Sequence, residues 1–285
     1  MSKKDLPKLV IFGDPEKGNV SEAIAAFGTF AKGKAETIAS IRIDECTVDV
    51  LKDADFAVVF GGDGTIISAA RQLSQCNVPV IGVNLGKLGF LAEFNVEELK
   101  EFFERIMSGE AVIEKRMMLK FQILSGGGER FSAAAINDVF INSGPPFSMI
   151  ELKISVDGQP LASCVSDGLV ICTPTGSTAY NLSSGGPILS GKMEGMVITP
   201  ICPHSLSFRP IVINANSKVE IRGSRVNEGT TVSVDGQMSY RLSTEDVVHV
   251  ERHQGVFMVV NNPIRTQWDA LAAKLGWAEQ PRYKK

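Results

Sequence analysis

Two short stretches of the chain gather residue types that handle phosphate and hydroxyl groups. The first is GGDGT at 61–65, which follows the apolar run Ala57–Phe60 and precedes Ile66 and Ile67. Glycines after a buried strand let the backbone bend tightly and approach a ligand closely. Main-chain N–H groups at such a bend, with the amino end of a following helix, make a seat for phosphate. Asp63 is an acid inside this anion-friendly bend. A carboxylate beside phosphates is repelled unless a cation or a transferable proton lies between them. Asp63 therefore points either to a Mg2+ partner or to a base that takes a hydroxyl proton during phosphoryl transfer. The plain alternative is that its side chain caps the helix.

The second stretch is SDGLVICTPTGSTAYNLSSGGPI at 166–188. Leu169–Cys172 reads as a buried strand, after which Thr173, Thr175, Ser177 and Thr178 crowd hydroxyls around Pro174 and Gly176. Ser177 or Thr178 would cap a short helix ending before Gly185-Gly186-Pro187. Hydroxyls and open N–H groups at a helix start can hold ribose hydroxyls, adenine edges or phosphate oxygens, or can simply form a cap and turn. Better-known phosphate loops do not fit. GVNLGKL at 82–88 has one residue too few between its glycines for a P-loop and no hydroxyl after its lysine, and Ile67 stands where a dinucleotide GxGxxG would need its third glycine.

Composition narrows the function classes. A net charge of −3 with no long basic run argues against nucleic acid as a partner. Five scattered cysteines lack CxxC spacing and read as small buried hydrophobes of a reducing compartment. No stretch approaches the ~20 apolar residues of a membrane span, and the N-terminal apolar run is too short for a signal peptide. A cytoplasmic protein with no membrane partner is the expectation. Of the histidines, His204 lies in a proline-rich turn, and His249 and His253 read as strand-surface residues. Lys115 and Arg116 read as a solvated pair. Trp268 and Trp277 read as packing anchors.

The elements that must position these residues follow from periodicity. Strands are expected at 8–12, 55–60 and 78–84, and helices at 20–33, 65–74 and 96–110. This alternation gives an α/β domain over 1–112, a parallel sheet with helices on both faces. From 113 to 262 the chain turns β-rich. VIEKRMMLKFQIL and RFSAAAINDVFINS read as two long strands around a glycine turn, and Asp157-Gly158 and Asp235-Gly236 mark hairpins. A terminal helix over 263–277, within a closing segment 263–285 that returns to the first domain, presents Trp268, Leu271 and Leu275 as its packing face.

GGDGT (61–65), NLGKLGFLAEF (84–94), IND (136–138), DGLVICTPTGSTAYNLSSGGPI (167–188) and PICPHSLSFRPIVI (200–213) resemble, in order and spacing, the NAD kinase family. GGDGT alone is shared with lipid kinases of the diacylglycerol and sphingosine types and with phosphofructokinases, whereas TPTGSTAY is far more specific. The resemblance implies the NAD kinase / diacylglycerol kinase-like fold and ATP-dependent phosphorylation of the 2′-hydroxyl on the adenosine ribose of NAD, with Mg2+ or another divalent cation. It makes Asp63 the catalytic acid–base residue, sets Gly64 at the phosphate turn and Phe90 near the adenine, and places Asn137 and Asp138 on the dinucleotide. Asp167, Thr175, Thr178, Ala179, Tyr180, Asn181, Leu182, Ser183 and Gln237 would line the remainder. A homodimer or homotetramer is implied. Three departures stand out: Asp138 replaces the family's usual Glu, Val165 stands where many bacterial members carry Arg, and Ser148 where some carry His. A diacylglycerol-type lipid kinase and a non-catalytic dinucleotide sensor are the alternatives.

Overall fold

A computed structural model describes residues 6–86 and 89–276. The chain divides into two compact units, Met1–Lys115 with Phe257–Lys285, and Arg116–Val256. In the first unit four parallel strands stand in the order Glu36–Ile41, Lys8–Phe12, Phe56–Phe60, Val80–Val83. The end of the strand Val247–Val260 adds to the last of them through Val259 opposite Val80. The central strands are buried on both faces, as near-continuous apolar runs such as LVIF and AVVF require.

One face of this sheet, carrying Leu9, Ile11, Val58, Phe60, Ile81 and Val83, is covered by the helices Gly18–Ala31 and Val96–Met107. Phe27 sits at the centre of that layer, 5.6 Å from Phe60 and 5.7 Å from Phe103 between ring centroids. Truncating so buried a ring to alanine costs about 3–5 kcal/mol. The helix Val96–Met107 buries Leu99, Phe102, Phe103 and Ile106, as its spacing predicts, and begins with a reciprocal Asn95–Glu98 capping box. The helix Asp63–Leu73 lies on the opposite face, where a side chain at Gly82 would collide with Ile66. The sequence gives little sign of the strand Glu36–Ile41 or the helix Val48–Leu51: the first is an edge strand with no buried face and the second a single turn.

The second unit holds an antiparallel six-stranded sheet in the order Ile211–Asn214, Gly195–Ile201, Gly168–Cys172, Asp138–Asn142, Thr231–Val234, Met238–Arg241. Its other strands are the hairpin Ile150–Val156/Gln159–Ser166, the strand Val219–Arg225 beside it, the start of Val247–Val260, and the hairpin Ile113–Ser125/Gly128–Ala135. Alternate residues of both sets, among them Leu119, Phe121, Val139, Leu169, Ile171 and Met196, share one core. The strand Gly168–Cys172 is buried on both faces. Leu169 and Ile171 enter that core, while Val170 and Cys172 pack under Leu189 and Tyr180.

Several expectations need correction. The long strand read through RFSAAAINDVFINS is two strands, broken at Ile136-Asn137 and pairing into different sheets. The terminal helix is shorter, Gln267–Leu275, and opens on a Thr266–Asp269 capping box. Its packing face is Ala270 and Leu271, whereas Trp268 is 54% and Leu275 42% exposed. A tryptophan at helical spacing satisfies the same periodicity whether it points in or out. Trp277 lies outside the described residues. All five cysteines are free thiols, but Cys202 is exposed in a turn and Cys76 is half-buried. Arg116 is 7% exposed and runs past Gly191, where any side chain would meet its guanidinium.

Candidate active site

The candidate residues of the first unit gather at the start of the helix Asp63–Leu73. Gly62 is the N-cap and contributes no side chain, so Asp63 is the first helical residue and caps nothing. Its carboxylate instead reaches the segment 90–92. Oδ2 accepts the Phe90 amide at 2.9 Å, and Oδ1 accepts those of Leu91 at 3.0 Å and Ala92 at 3.2 Å. Successive amides aimed at one anion form a nest. Gly89 is essential to it, because a Cβ there would stand 2.1 Å from Asp63 Oδ1. A fourth donor comes from the terminal helix: Lys274 Nζ lies 3.0 Å from Oδ2 and 4.5 Å from the centroid of the Phe90 ring.

Burial is the largest influence on the Asp63 carboxyl and opposes its ionisation. The Phe90 and Leu91 amides and the Lys274 ammonium together outweigh it and hold the group below the usual carboxylate range. Two cavities flank the bend. One of about 250 Å3 is lined by Gly61, Gly62, Thr65, Asn84 and Lys17, and one of about 350 Å3 by Gly64, Thr65, Ser68, Lys17 and Arg42. The Arg42 guanidinium is engaged by Asp44 at 3.1 Å and Glu16 at 3.6 Å.

In the second unit the break at Ile136-Asn137 is organised by one carboxylate. Asp235 Oδ2 accepts the Ile136 amide at 3.1 Å, and Oδ1 accepts those of Asn137 at 2.8 Å and Asp138 at 3.1 Å. The Asp235 amide returns a bond to the Asp138 carbonyl at 2.9 Å. Asp235 and Gly236 sit at φ +51° and +65°, so the hairpin turn itself aims the carboxylate. From the other side the Thr173 amide donates to the Asn137 carbonyl at 2.9 Å. Its hydroxyl donates to the Ile136 carbonyl at 2.5 Å and accepts the Gly176 amide at 3.0 Å. Gly176 comes so near that a Cβ would stand 2.0 Å from the Asn137 carbonyl oxygen. Asn137, Asp138 and the tract 173–183 are therefore one assembly.

Asp138 is 3% exposed, and its carboxylate accepts the Tyr180 amide. Burial, reinforced by repulsion from Asp235, pushes its pKa up to about 7. Tyr180 opens the one-turn helix Tyr180–Ser183 and sets its ring edge-on to Phe140, 4.9 Å between centroids. No hydroxyl caps that helix. Ser177 donates to the Pro174 carbonyl at 2.6 Å and Thr178 to that of Thr175 at 3.4 Å, bracing the 3-10 turn Thr175–Thr178 instead. Asn181 is fully buried: its amide donates to the Ser177 and Pro187 carbonyls, both at 3.0 Å, and its oxygen accepts from Thr199 at 2.7 Å. Thr175, Thr178, Ala179, Tyr180 and Leu182 are half-buried, Ser183 is exposed, and Gln237 is exposed beside Asp235. Asp167 precedes the strand Gly168–Cys172 while the tract follows it, so the strand's length separates them.

Spacing revealed neither Asp235 nor Lys274. The first carried only a hairpin signal and the second only that of a last-turn base. His249 stands on a strand surface with Nε2 3.6 Å from Glu220, and no group of three His, Cys, Asp or Glu at metal-binding distance occurs among the described residues.

The profile of the ATP-NAD kinase N-terminal domain matches residues 27–111, and that of the ATP-NAD kinase C-terminal domain matches 136–261. The NAD kinase of Rhodopirellula baltica is 36% identical over 273 residues, covering 95% of this chain and 87% of that protein. The NAD kinase of Geobacter sulfurreducens is 42% identical over 227 residues, 80% of each. Among solved structures, yeast NADH kinase complexed with NADH superposes with a TM-score of 0.86 at 26% identity, covering 99% of this chain and 91% of that one. An NAD kinase from Archaeoglobus fulgidus in complex with ATP shares the fold, with a TM-score of 0.72 at 22% identity over 95% of this chain and 99% of that one.

Proposed function

The chain belongs to the NAD kinase family, and from that premise we infer how its residues carry the reaction. It is an NAD kinase, an α/β unit and a β-rich unit that phosphorylate NAD to NADP with ATP; neither a lipid kinase nor a non-catalytic sensor finds support among its relatives. The observation that carries the mechanism is the Asp63 carboxylate, ionised and immobilised at the GGDGT bend. Asp63 accepts the proton of the adenosine 2′-hydroxyl as that oxygen bonds to the γ-phosphorus and the bond to ADP breaks. A carboxyl held below its ordinary range is a weak base. In a loose phosphoryl-transfer transition state the proton leaves late, so position matters more than basicity.

Gly64 and the amino end of its helix offer N–H groups to the phosphates. Phe90 supplies a ring near the adenine. Asn137, Asp138, Thr175, Thr178, Ala179, Tyr180, Leu182 and Ser183 form the dinucleotide surface, with Gln237 at its margin. Asn181 serves it by fixing the one-turn helix. Asp167 is assigned to the dinucleotide by family likeness, at the far end of its strand.

A divalent cation would enter as a companion of ATP: no cluster of three His, Cys, Asp or Glu among the described residues forms a protein cage for it, and Mg2+ typically keeps substrate phosphates and water as ligands. When bound it neutralises charge on the transferring phosphates. We further propose a cytoplasmic homodimer or homotetramer. No described helix is long and apolar enough to cross a membrane. Ile211 and Val212, 40% and 45% exposed on an edge strand, support self-association. Light scattering tests it, and a monomer at working concentration refutes it.

The deciding experiment measures NADP formation from NAD, ATP and Mg2+ by purified protein, alongside Asp63→Asn. The variant should fold as the parent and lose about 10²–10⁴ in kcat. A parental rate would remove Asp63 from the role of base. NADH in place of NAD, and polyphosphate in place of ATP, define the remaining preferences.

A further inference from the structure

Asp63 is held by three backbone amides and one side chain, and that side chain arrives from far along the chain, 211 residues later. Lys274 occupies the last turn of the helix Gln267–Leu275, which the Thr266–Asp269 capping box starts and Ala270 and Leu271 seat. Its ammonium bridges Asp63 Oδ2 and the face of Phe90, two residues already placed in the site. Among the described residues it is the charged group within ion-pair distance of Asp63. The remaining neighbours are the neutral amides of Phe90, Leu91 and Ala92. The side chains of the pair are 29% and 27% exposed, sheltered enough for a charge-assisted bond to hold a geometry.

We propose that Lys274 is a positioning residue for phosphoryl transfer: its ammonium fixes Asp63 Oδ2 and keeps the carboxylate anionic, without binding NAD. The inference rests on Asp63 being the base. The amides orient the carboxylate toward the segment 90–92 and counter much of its burial, and the Lys274 ammonium adds a full positive charge on Oδ2 that neutral donors lack. The cation–π contact gives the ammonium a second anchor, so it is held rather than wandering. Removing it should let Asp63 take up a proton at higher pH and turn more freely, while the dinucleotide surface of the second unit is untouched.

The test compares Lys274→Met and Lys274→Arg with the parent and with Asp63→Asn, reading kcat, KM for NAD and the pH profile of kcat. Lys274→Met should lower kcat about ten- to a hundredfold, the worth of a hydrogen bond to a charged group. It should leave KM within about threefold and move the acid limb of the profile to higher pH. Lys274→Arg, which keeps the charge, should restore both in part. Lys274 follows Leu271 by three positions and Ala270 by four, on the same side of the helix that they seat, so melting curves for each variant report whether that helix stays in place. If Asp63→Asn is crippled while the acid limb of Lys274→Met coincides with the parent's, Lys274 acts only by supporting the helix and the proposal fails alone. A kcat that rises in Lys274→Met likewise overturns it, showing a restraint instead of support. Parental turnover by Asp63→Asn removes the base and the inference together.

Discussion

At the scale of single residues the molecule contains two carboxylates pushed in opposite directions. Asp63 loses water but gains amide and ammonium donors, and ionises more readily than a free side chain. Asp138 loses water, faces Asp235 and gains one amide, and its pKa climbs to about 7. These shifts act on stability with opposite signs. Asp63 favours the folded state above the unfolded carboxyl's pKa, and that contribution disappears as pH falls through its lower folded value. Asp138 favours the folded state below the ordinary value of ~3.9, and its contribution fades as pH rises toward 7. Asp138→Asn should therefore flatten the stability profile between about pH 4 and 7, where the parent weakens with rising pH. Melting temperatures across that interval measure it, and parallel slopes for the two proteins would refute the assignment. Under the dinucleotide-binding role proposed for Asp138, the same protonation extends to ligand binding. A neutral Asp138 donates a hydrogen bond where an ionised one only accepts, so affinity for NAD should change across neutral pH in the parent and not in the variant.

Elements matter here chiefly where they are interrupted. The break at Ile136-Asn137 looks, in sequence, like the middle of a strand, because Ala133–Ile136 and Val139–Ile141 keep apolar spacing throughout. What ends the ladder is a carboxylate almost a hundred positions away, and no local pattern announces a partner that distant. Asp235→Ala should free three amides at once, costing about 2–4 kcal/mol, and should raise KM for NAD more than it lowers kcat, since Asn137 and Asp138 lose their frame. A chemical denaturation curve and steady-state kinetics together check this; an unchanged KM would mean that the break is held by Thr173 and Gly176 alone. By contrast, the glycine-aspartate bend, the hydroxyl-rich tract, both Asp-Gly hairpins and the helix Val96–Met107 were legible, each carrying its cause within a few residues. The strand Glu36–Ile41 was not, because an edge strand facing water needs no periodicity.

For the whole molecule, chain order and site assembly are out of step. The regions matched by the family profiles end at residue 261, yet the ammonium on Asp63 sits beyond them. A chain stopped after Pro263 keeps every residue proposed for the dinucleotide surface and loses the helix Gln267–Leu275. It should still bind NAD, by calorimetry, while kcat falls at least as far as in Lys274→Met; full turnover by the shortened chain would sink the role given to that helix. Membership in the family was readable from motif order, whereas Lys274 was not, since a lysine in a last turn is ordinary by the helix dipole alone. Translation runs in one direction, and the contact between Lys274 and Asp63 joins codons 211 positions apart. A growing polypeptide on the ribosome exposes its glycine-aspartate bend long before it completes that bend's ionic partner, so a product cut short between the two by a premature stop codon or a trimming protease carries the signature of the enzyme with its charge pair left open.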